Sequence, residues 1–278
     1  RLLSDFSPDW VILDHYGLGG SWVKAIRKPL PNLSVLALDD LDREVLHADL
    51  LLNPAAVPGV ELKQPHLGML KGPSYAMLRP EFIPARPAAL NRRNGHIKKV
   101  LILPGMVDSK HMAPAALEAL KSFPEIKAEV VMGSQSPSVT QVQGLVSEQP
   151  NWSLTLDATN MAELMSQADA AIGAGGGSAW ERCALGLPSV NIALTDNQIP
   201  GVQATADAGA AIALTASALE NPEAITEALR VLIANHAEMS LSAAALCDGL
   251  GAKRVVSAMS GQLRDVSADD AKLIFDWR

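Results

Sequence analysis

Short apolar runs recur along the chain, separated by stretches with helical spacing. WVIL at 10–13, Ser34 to Leu38 and Asp49 to Asn53 each read as a strand, with short helical segments at Leu18 to Ile26 and Asp42 to Leu46 between them. Brief apolar runs bounded by turn residues mark strands buried on both faces of a parallel sheet. Residues 66–82, HLGMLKGPSYAMLRPEF, read as irregular chain with a turn at Gly72-Pro73, and Pro84 to Gly95, with two prolines and exposed basic residues, reads as a linker. The strand rhythm resumes at Lys99 to Leu103, Ala128 to Met132, Ser153 to Leu156, Asp169 to Ile172 and Val190 to Leu194. Helices are predicted at Ala113 to Phe123, Ala179 to Leu185 and Gln198 to Ala208, with a shorter one opened by Asn160 and Glu163 as a capping pair. Asn221-Pro222 starts another, whose Ile225, Leu229 and Leu232 share one face, and Ala252 to Leu263 closes the series. The pattern predicts an α/β chain of doubly wound, Rossmann-like construction.

Composition narrows the partners. A length of 278 residues is enough for two modest domains with real cores. A net charge of −7 argues against nucleic acid or an anionic membrane surface, and no apolar run approaches the roughly 20 residues of a membrane span. Cys183 and Cys247 have neither zinc nor CxxC spacing and read as reduced and structural, in a cytoplasmic protein. Asp40-Leu41-Asp42 has the form of a DxD metal motif, but no His or further acid completes a site, so Asp40 reads as a helix cap. Neither a metal nor a cofactor is expected.

Candidate chemistry concentrates in residues 169–198, DAAIGAGGGSAWERCALGLPSVNIALTDNQ. A strand ends at Ile172, a turn follows with Gly173, Gly175, Gly176 and Gly177, Ser178 closes it, and a helix begins. Such a frame aims backbone N–H groups and the positive end of a helix at an anion, here a phosphate or diphosphate. The glycines alone would equally serve tight strand-to-helix packing. Glu181 lies three residues into the helix, where a carboxylate can accept both hydroxyls of a ribose, or merely complement the helix dipole. Asn197 and Gln198 stand just past the next strand, and His15 and Tyr16 follow the first strand of the chain. His15 is a weak candidate for a base.

The segment GAGGGSAWERCALGLPSVNI, followed by DNQ, resembles the nucleotide-binding half of two-domain, glycosyltransferase-like (GT-B) proteins. It is most similar to the UDP-sugar hydrolases of pseudaminic acid biosynthesis, and ILDHYGL at 12–18, LDDLDR at 38–43, ADLLLNP at 48–54 and GPSYAMLRPEF at 72–82 support the same match. The resemblance implies a GT-B fold with two Rossmann-like domains facing a cleft: residues 1–90 as the later part of an incomplete first domain with its linker, and 91–262 as the UDP-binding domain. Residues 263–278 resemble the opening of a GNAT-type acetyltransferase, a fused partner. The implied reaction is hydrolysis of a UDP-linked 2,4-diacetamido-2,4,6-trideoxy sugar with inversion. The implied UDP site comprises Gly105, Met161, Gly175, Gly176, Gly177, Ser178, Glu181 and Gln198, with Tyr16 and Asn197 positioning water and sugar. The family's base lies in an N-terminal Gly-x-Gly-His segment that these residues lack, so the natural protein is expected to continue upstream. Met106 stands where the family has the second of two glycines and is expected to crowd the sugar or diphosphate. A transferase on the same scaffold and a non-catalytic UDP-sugar-binding module are the alternatives.

Overall fold

The computed structural model describes residues 8–41, 44–56, 68–93 and 95–261. The chain forms two compact units, one of residues 1–77 with 250–278 and one of residues 78–249. This division differs from the one read in the sequence, which ran at residues 90 and 262. The expected acetyltransferase start at 263–278 lies outside the described residues.

The first unit opens with β1 (Trp10–Leu13), α1 (Gly20–Arg27), β2 (Ser34–Leu38), β3 (Leu50–Asn53) and β4 (Gly68–Lys71). Its strands form one parallel sheet in the order β1-β2-β3-β4, with Trp10 opposite Ser34, Leu36 opposite Leu50 and Leu50 opposite Gly68. Val23 of α1 packs with Leu13, Val35, Ala37 and Leu51 on one face. Two expectations are corrected here. Residues 68–71 are a strand rather than irregular chain, because the edge of β3 supplies a ladder that four residues with a glycine would not announce. The expected helix at Asp42 to Leu46 is not seen at Glu44–Leu46, while residues 42 and 43 lie outside the described residues. Asp40 accordingly caps no helix among the described residues and instead accepts the Tyr16 hydroxyl at 2.9 and 3.0 Å.

The second unit begins with α2 (Phe82–Arg92), β5 (Lys99–Gly105), α3 (Met112–Leu120), β6 (Lys127–Met132), α4 (Val139–Ser147) and β7 (Trp152–Leu156). It continues with α5 (Met161–Gln167), β8 (Ala170–Ala174), α6 (Ser178–Ala184), β9 (Ser189–Ala193), α7 (Ile199–Asp207), β10 (Ala211–Thr215), α8 (Pro222–Ala234) and α9 (His236–Leu246). A last helix, α10 (Gly251–Met259), returns to the first unit and sets Val255 against Leu36, Leu52 and Leu70. None of the described helices is long and apolar enough to cross a membrane.

The second sheet is all parallel in the order β10-β9-β8-β5-β6-β7. Relative to this unit's own strands that is the doubly wound order, which reverses between β5 and β8. Successive residues of β5 face opposite layers: Val100 and Ile102 join α3 and α8, whereas Leu101 and Leu103 join α2 and α5. Ile225, Leu229 and Leu232 are buried in the first of these layers, as their spacing predicts.

The predicted linker is a correction. Residues 82–92 are helix α2 despite Pro84 and Pro87. Pro84 sits in the first turn, where an N–H has no intrahelical partner, and Pro87 forfeits one bond of the ladder. Tertiary hydrogen bonds offset that loss. Arg86 donates to the carbonyls of Ala184, Cys247 (2.9 Å) and Ala244 (2.7 Å), and Arg93 to those of Ala168, Gly186 (3.1 Å), Met165 (3.1 Å) and Leu185 (3.4 Å). Both are half-buried rather than exposed, and burial pushes the Arg93 guanidinium down to about 10. Replacing Arg93 by Met is expected to lower the stability of this unit by about 2 kcal/mol or more, since several buried carbonyls lose charged donors. An unchanged midpoint in urea denaturation would show the helix to be held by packing alone.

Candidate functional site

In doubly wound sheets the ligand crevice opens at the carboxyl ends of the strands where the order reverses. Here that point lies between β5 and β8, with Leu103 opposite Gly173 in register. Two loops leave it side by side: Pro104 to Asp108 from β5 and the glycine turn from β8.

The glycines of the turn have two different reasons. A Cβ on Gly173 would lie 2.3 Å from the Arg182 guanidinium, and one on Gly175 would lie 2.1 Å from Val202 of α7, so both positions are closed by packing. At Gly176 the nearest atom is the Gln198 amide nitrogen at 4.0 Å, and at Gly177 nothing lies within 4 Å. Gly177 has right-handed helical angles that any residue adopts. Neither protein packing nor its own dihedral angles require a glycine at 177, whereas a larger residue at 175 would press on Val202.

Behind the turn sits a side chain that the sequence reading did not single out. Arg182 is fully buried on α6, where it donates to the Ala174 carbonyl (2.9 Å), to the Asn191 side-chain oxygen (2.8 Å) and to the Ser178 hydroxyl (3.2 Å). Asn191 is held in turn by Ser189 (2.9 Å) and donates to Thr205 (3.0 Å), whose hydroxyl donates to the Val202 carbonyl (2.7 Å). Among the described residues Arg182 forms no ion pair with a carboxylate, and burial pushes it down to about 10, still protonated near neutrality. A lone arginine in the apolar segment SAWERCALG was the available signal.

Around this frame the predicted residues divide. Gln198 accepts the N–H of Leu194 at 2.9 Å, which fixes its side chain beside Gly176. Asn197 accepts the Thr195 hydroxyl at 2.6 Å in the adjoining turn. Glu181 is bound by Arg79 at 3.2 Å; burial raises its carboxyl above the ordinary glutamate range, opposed by the Arg79 charge. Arg79 was likewise not anticipated, because 102 residues separate the pair.

Gly105 has φ +95°, which explains the glycine by conformation. Met106 is 64% exposed, and its thioether methyl leans toward Gly133 beyond β6, on the side of β5 away from β8. Asp108 is buried and pins the loop, accepting the N–H groups of Met112 (2.7 Å) and Ala113 (3.0 Å) and the Ser138 hydroxyl (2.8 Å). Met161 starts α5 and packs partly against the layer containing Phe82 and Leu103. Asn160 donates to the Glu163 carboxylate at 2.8 Å but makes no side-chain bond to the helix backbone, so the expected capping pair is a side-chain pair instead. Asp157, with φ +51°, is held below the usual carboxylate range by the Ser134 hydroxyl and N–H.

His15 and Tyr16 belong to the other unit, at the carboxyl end of β1. Tyr16 is bound to Asp40, and His15 Nδ1 accepts the Gly17 N–H at 2.9 Å.

Residues 100–256 match the description "Glycosyltransferase family 28 C-terminal domain". The chain belongs to this family. Its family 28 segment contains the whole glycine turn and both loops of the switch point. The chain is 27% identical over 259 residues, 90% of its length and 76% of the relative's, to the spore coat polysaccharide biosynthesis protein SpsG of Bacillus subtilis (strain 168). Among solved structures it is similar to MurG of Acinetobacter baumannii, with a TM-score of 0.69 and 19% identity over 94% of this chain and 76% of that one. It is also similar to the UDP-GlcNAc 2-epimerase of Neisseria meningitidis bound to UDP-GlcNAc, with a TM-score of 0.64 and 15% identity over 94% and 78%. The fold of this family 28 chain is therefore GT-B-like.

The two kinds of glycine are separable by stability. Gly175→Ala is expected to lower the melting temperature by several degrees, because the methyl meets a packed valine. Gly177→Ala is expected to leave it unchanged or raise it slightly, since helical alanine restricts the unfolded chain. Equal losses in a thermal melt would mean that the whole turn is a packing device.

Proposed function

We propose that this chain holds the UDP of a nucleotide sugar on the glycine turn and belongs to an enzyme that releases UDP by attack on the anomeric carbon. The observation that carries this reading is the pair of glycines, 176 and 177, left open at the sheet's switch point. The family 28 match and the likeness to MurG support it. Gly175, Gly176, Gly177 and Ser178 would receive the diphosphate, and Glu181, steadied by Arg79, would accept the ribose hydroxyls. Gly105 and the loop before Met161 would border the nucleotide, with Gln198 keeping the turn in place.

In the reading favoured by the sequence resemblance, water is the acceptor and the sugar is a 2,4-diacetamido-2,4,6-trideoxy residue, as in pseudaminic acid biosynthesis. The water oxygen bonds to the anomeric carbon as the bond to the diphosphate oxygen breaks, and the electron pair leaves with UDP. The water's proton passes to a base, which the resemblance assigns to a Gly-x-Gly-His segment outside these residues. The resemblance assigns the positioning of water and sugar to Asn197 and, in the other unit, to Tyr16. Donors fixed around the diphosphate stabilise the charge that develops there. The second reading, transfer of the sugar to another acceptor, is favoured by the family 28 description and by SpsG and MurG.

Proton NMR of the gene product that contains this chain, with UDP-2,4-diacetamido-2,4,6-trideoxy-altrose and no acceptor, separates the readings. Release of UDP and free sugar is expected for the hydrolase; bound substrate without release points to transfer or to a binding module. Glu181→Ala is expected to weaken UDP at least tenfold, the loss of one charged hydrogen bond of about 1.5 kcal/mol being enough. Binding of the UDP-sugar, whose diphosphate ester has no group titrating near neutrality, is expected to weaken as pH falls through the raised Glu181 pKa, because the acid form no longer accepts two hydroxyls. Glu181→Gln removes that dependence; a pH profile unchanged by this substitution, measured by calorimetry, would refute the ribose assignment.

A further inference from the structure

We infer that Arg182 is a fixed buried cation that gives the glycine turn its selectivity for a doubly charged diphosphate, acting through the turn rather than by touching the ligand. This rests on the nucleotide reading proposed above. Helix α6 has only seven residues, so its dipole is a modest source of positive potential, whereas a guanidinium carries a full charge. Arginine in a protein interior is ordinarily paired with a carboxylate, because an isolated charge is costly to bury. Here its hydrogen-bond partners among the described residues are neutral: the Ala174 carbonyl, the Asn191 amide and the Ser178 hydroxyl. One guanidinium N–H, on Nε, has no partner at all. The nearest acid in sequence, Glu181, is engaged by Arg79. Glu181 acts on Arg182 through space but forms no ion pair with it, so the positive charge of Arg182 is only partly offset where it lies against Gly173.

Two features turn that charge toward the open side. The contact with Gly173 brings the guanidinium against the backbone of the turn, where a Cβ would have displaced it. Ser178 accepts a hydrogen bond from Arg182, and a hydroxyl that accepts from a cation is a stronger donor. Across a dry interior such a charge acts over several ångströms with little screening. A merely structural arginine would be served as well, or better, by an Asp at 191, whose carboxylate would bind the same guanidinium.

That substitution is the test. Asn191→Asp keeps the guanidinium and neutralises its charge, whereas Arg182→Lys keeps a charge and loses most of the hydrogen bonds. Dissociation constants for UDP and for uridine are measured by ligand-observed NMR, with melting temperatures alongside. The preference for UDP over uridine is expected to fall at least fivefold in Asn191→Asp and to stay within twofold of wild type in Arg182→Lys, whichever variant melts lower. A preference retained in Asn191→Asp, or lost in Arg182→Lys, overturns the inference while leaving UDP binding intact. If Asn191→Asp does not fold, Arg182→Gln takes its place: loss of the charge is expected to lower the preference at least fivefold, and a preference retained in it overturns the inference. A wild-type protein that binds no UDP overturns the nucleotide reading first, and this inference with it.

Discussion

Burying one guanidinium with no carboxylate bonded to it ties four elements of the second unit together. Each neutral partner that lets Arg182 sit in the interior comes from a different element: a carbonyl at the end of β8, an amide in the middle of β9, a hydroxyl at the start of α6. Thr205 of α7 holds the amide in place, and Gly173 stays small so that the guanidinium can approach. A buried donor left without an acceptor would cost about 1–3 kcal/mol. These elements are consequently locked at mutual positions that also define the shape of the glycine turn.

The wider scaffold follows from a parallel sheet buried on both faces. With apolar residues pointing both ways along β5 and β8, helices must cover each side, and right-handed crossovers then fix where the strand order reverses. In doubly wound sheets that reversal is where the ligand crevice opens. At that point the chain places Gly105 at positive φ and the open Gly176 and Gly177, while Asp108 holds the loop after β5. Selective rigidity of this kind suits a site that must present donors without rearranging.

The GT-B-like fold appears in proteins with different chemistry, a MurG and a UDP-GlcNAc 2-epimerase among them. The architecture therefore speaks to how a ligand is held more directly than to what becomes of it. Tyr16 and His15 belong to the other compact unit.

The sequence by itself determined the class of fold, most of the strands and the position of the turn. Apolar runs, glycines and helix-start residues act locally, and their spacing survives whatever the rest of the chain does. Strands 10–13 and 34–38 and the core face of α8 were legible for that reason. Tertiary structure decided the remainder. Two prolines and three arginines looked like a linker until folding brought Arg86 and Arg93 to carbonyls of residues 165–186 and 244–247 and Arg92 to the Asp169 carboxylate. Strand β4 exists because β3 offers an edge. Glu181 acquired a partner 102 residues away, and Arg182 acquired its acceptors from three elements. Only folding could separate the glycines that packing demands from those left open, because a Cβ is excluded by neighbours distant in sequence.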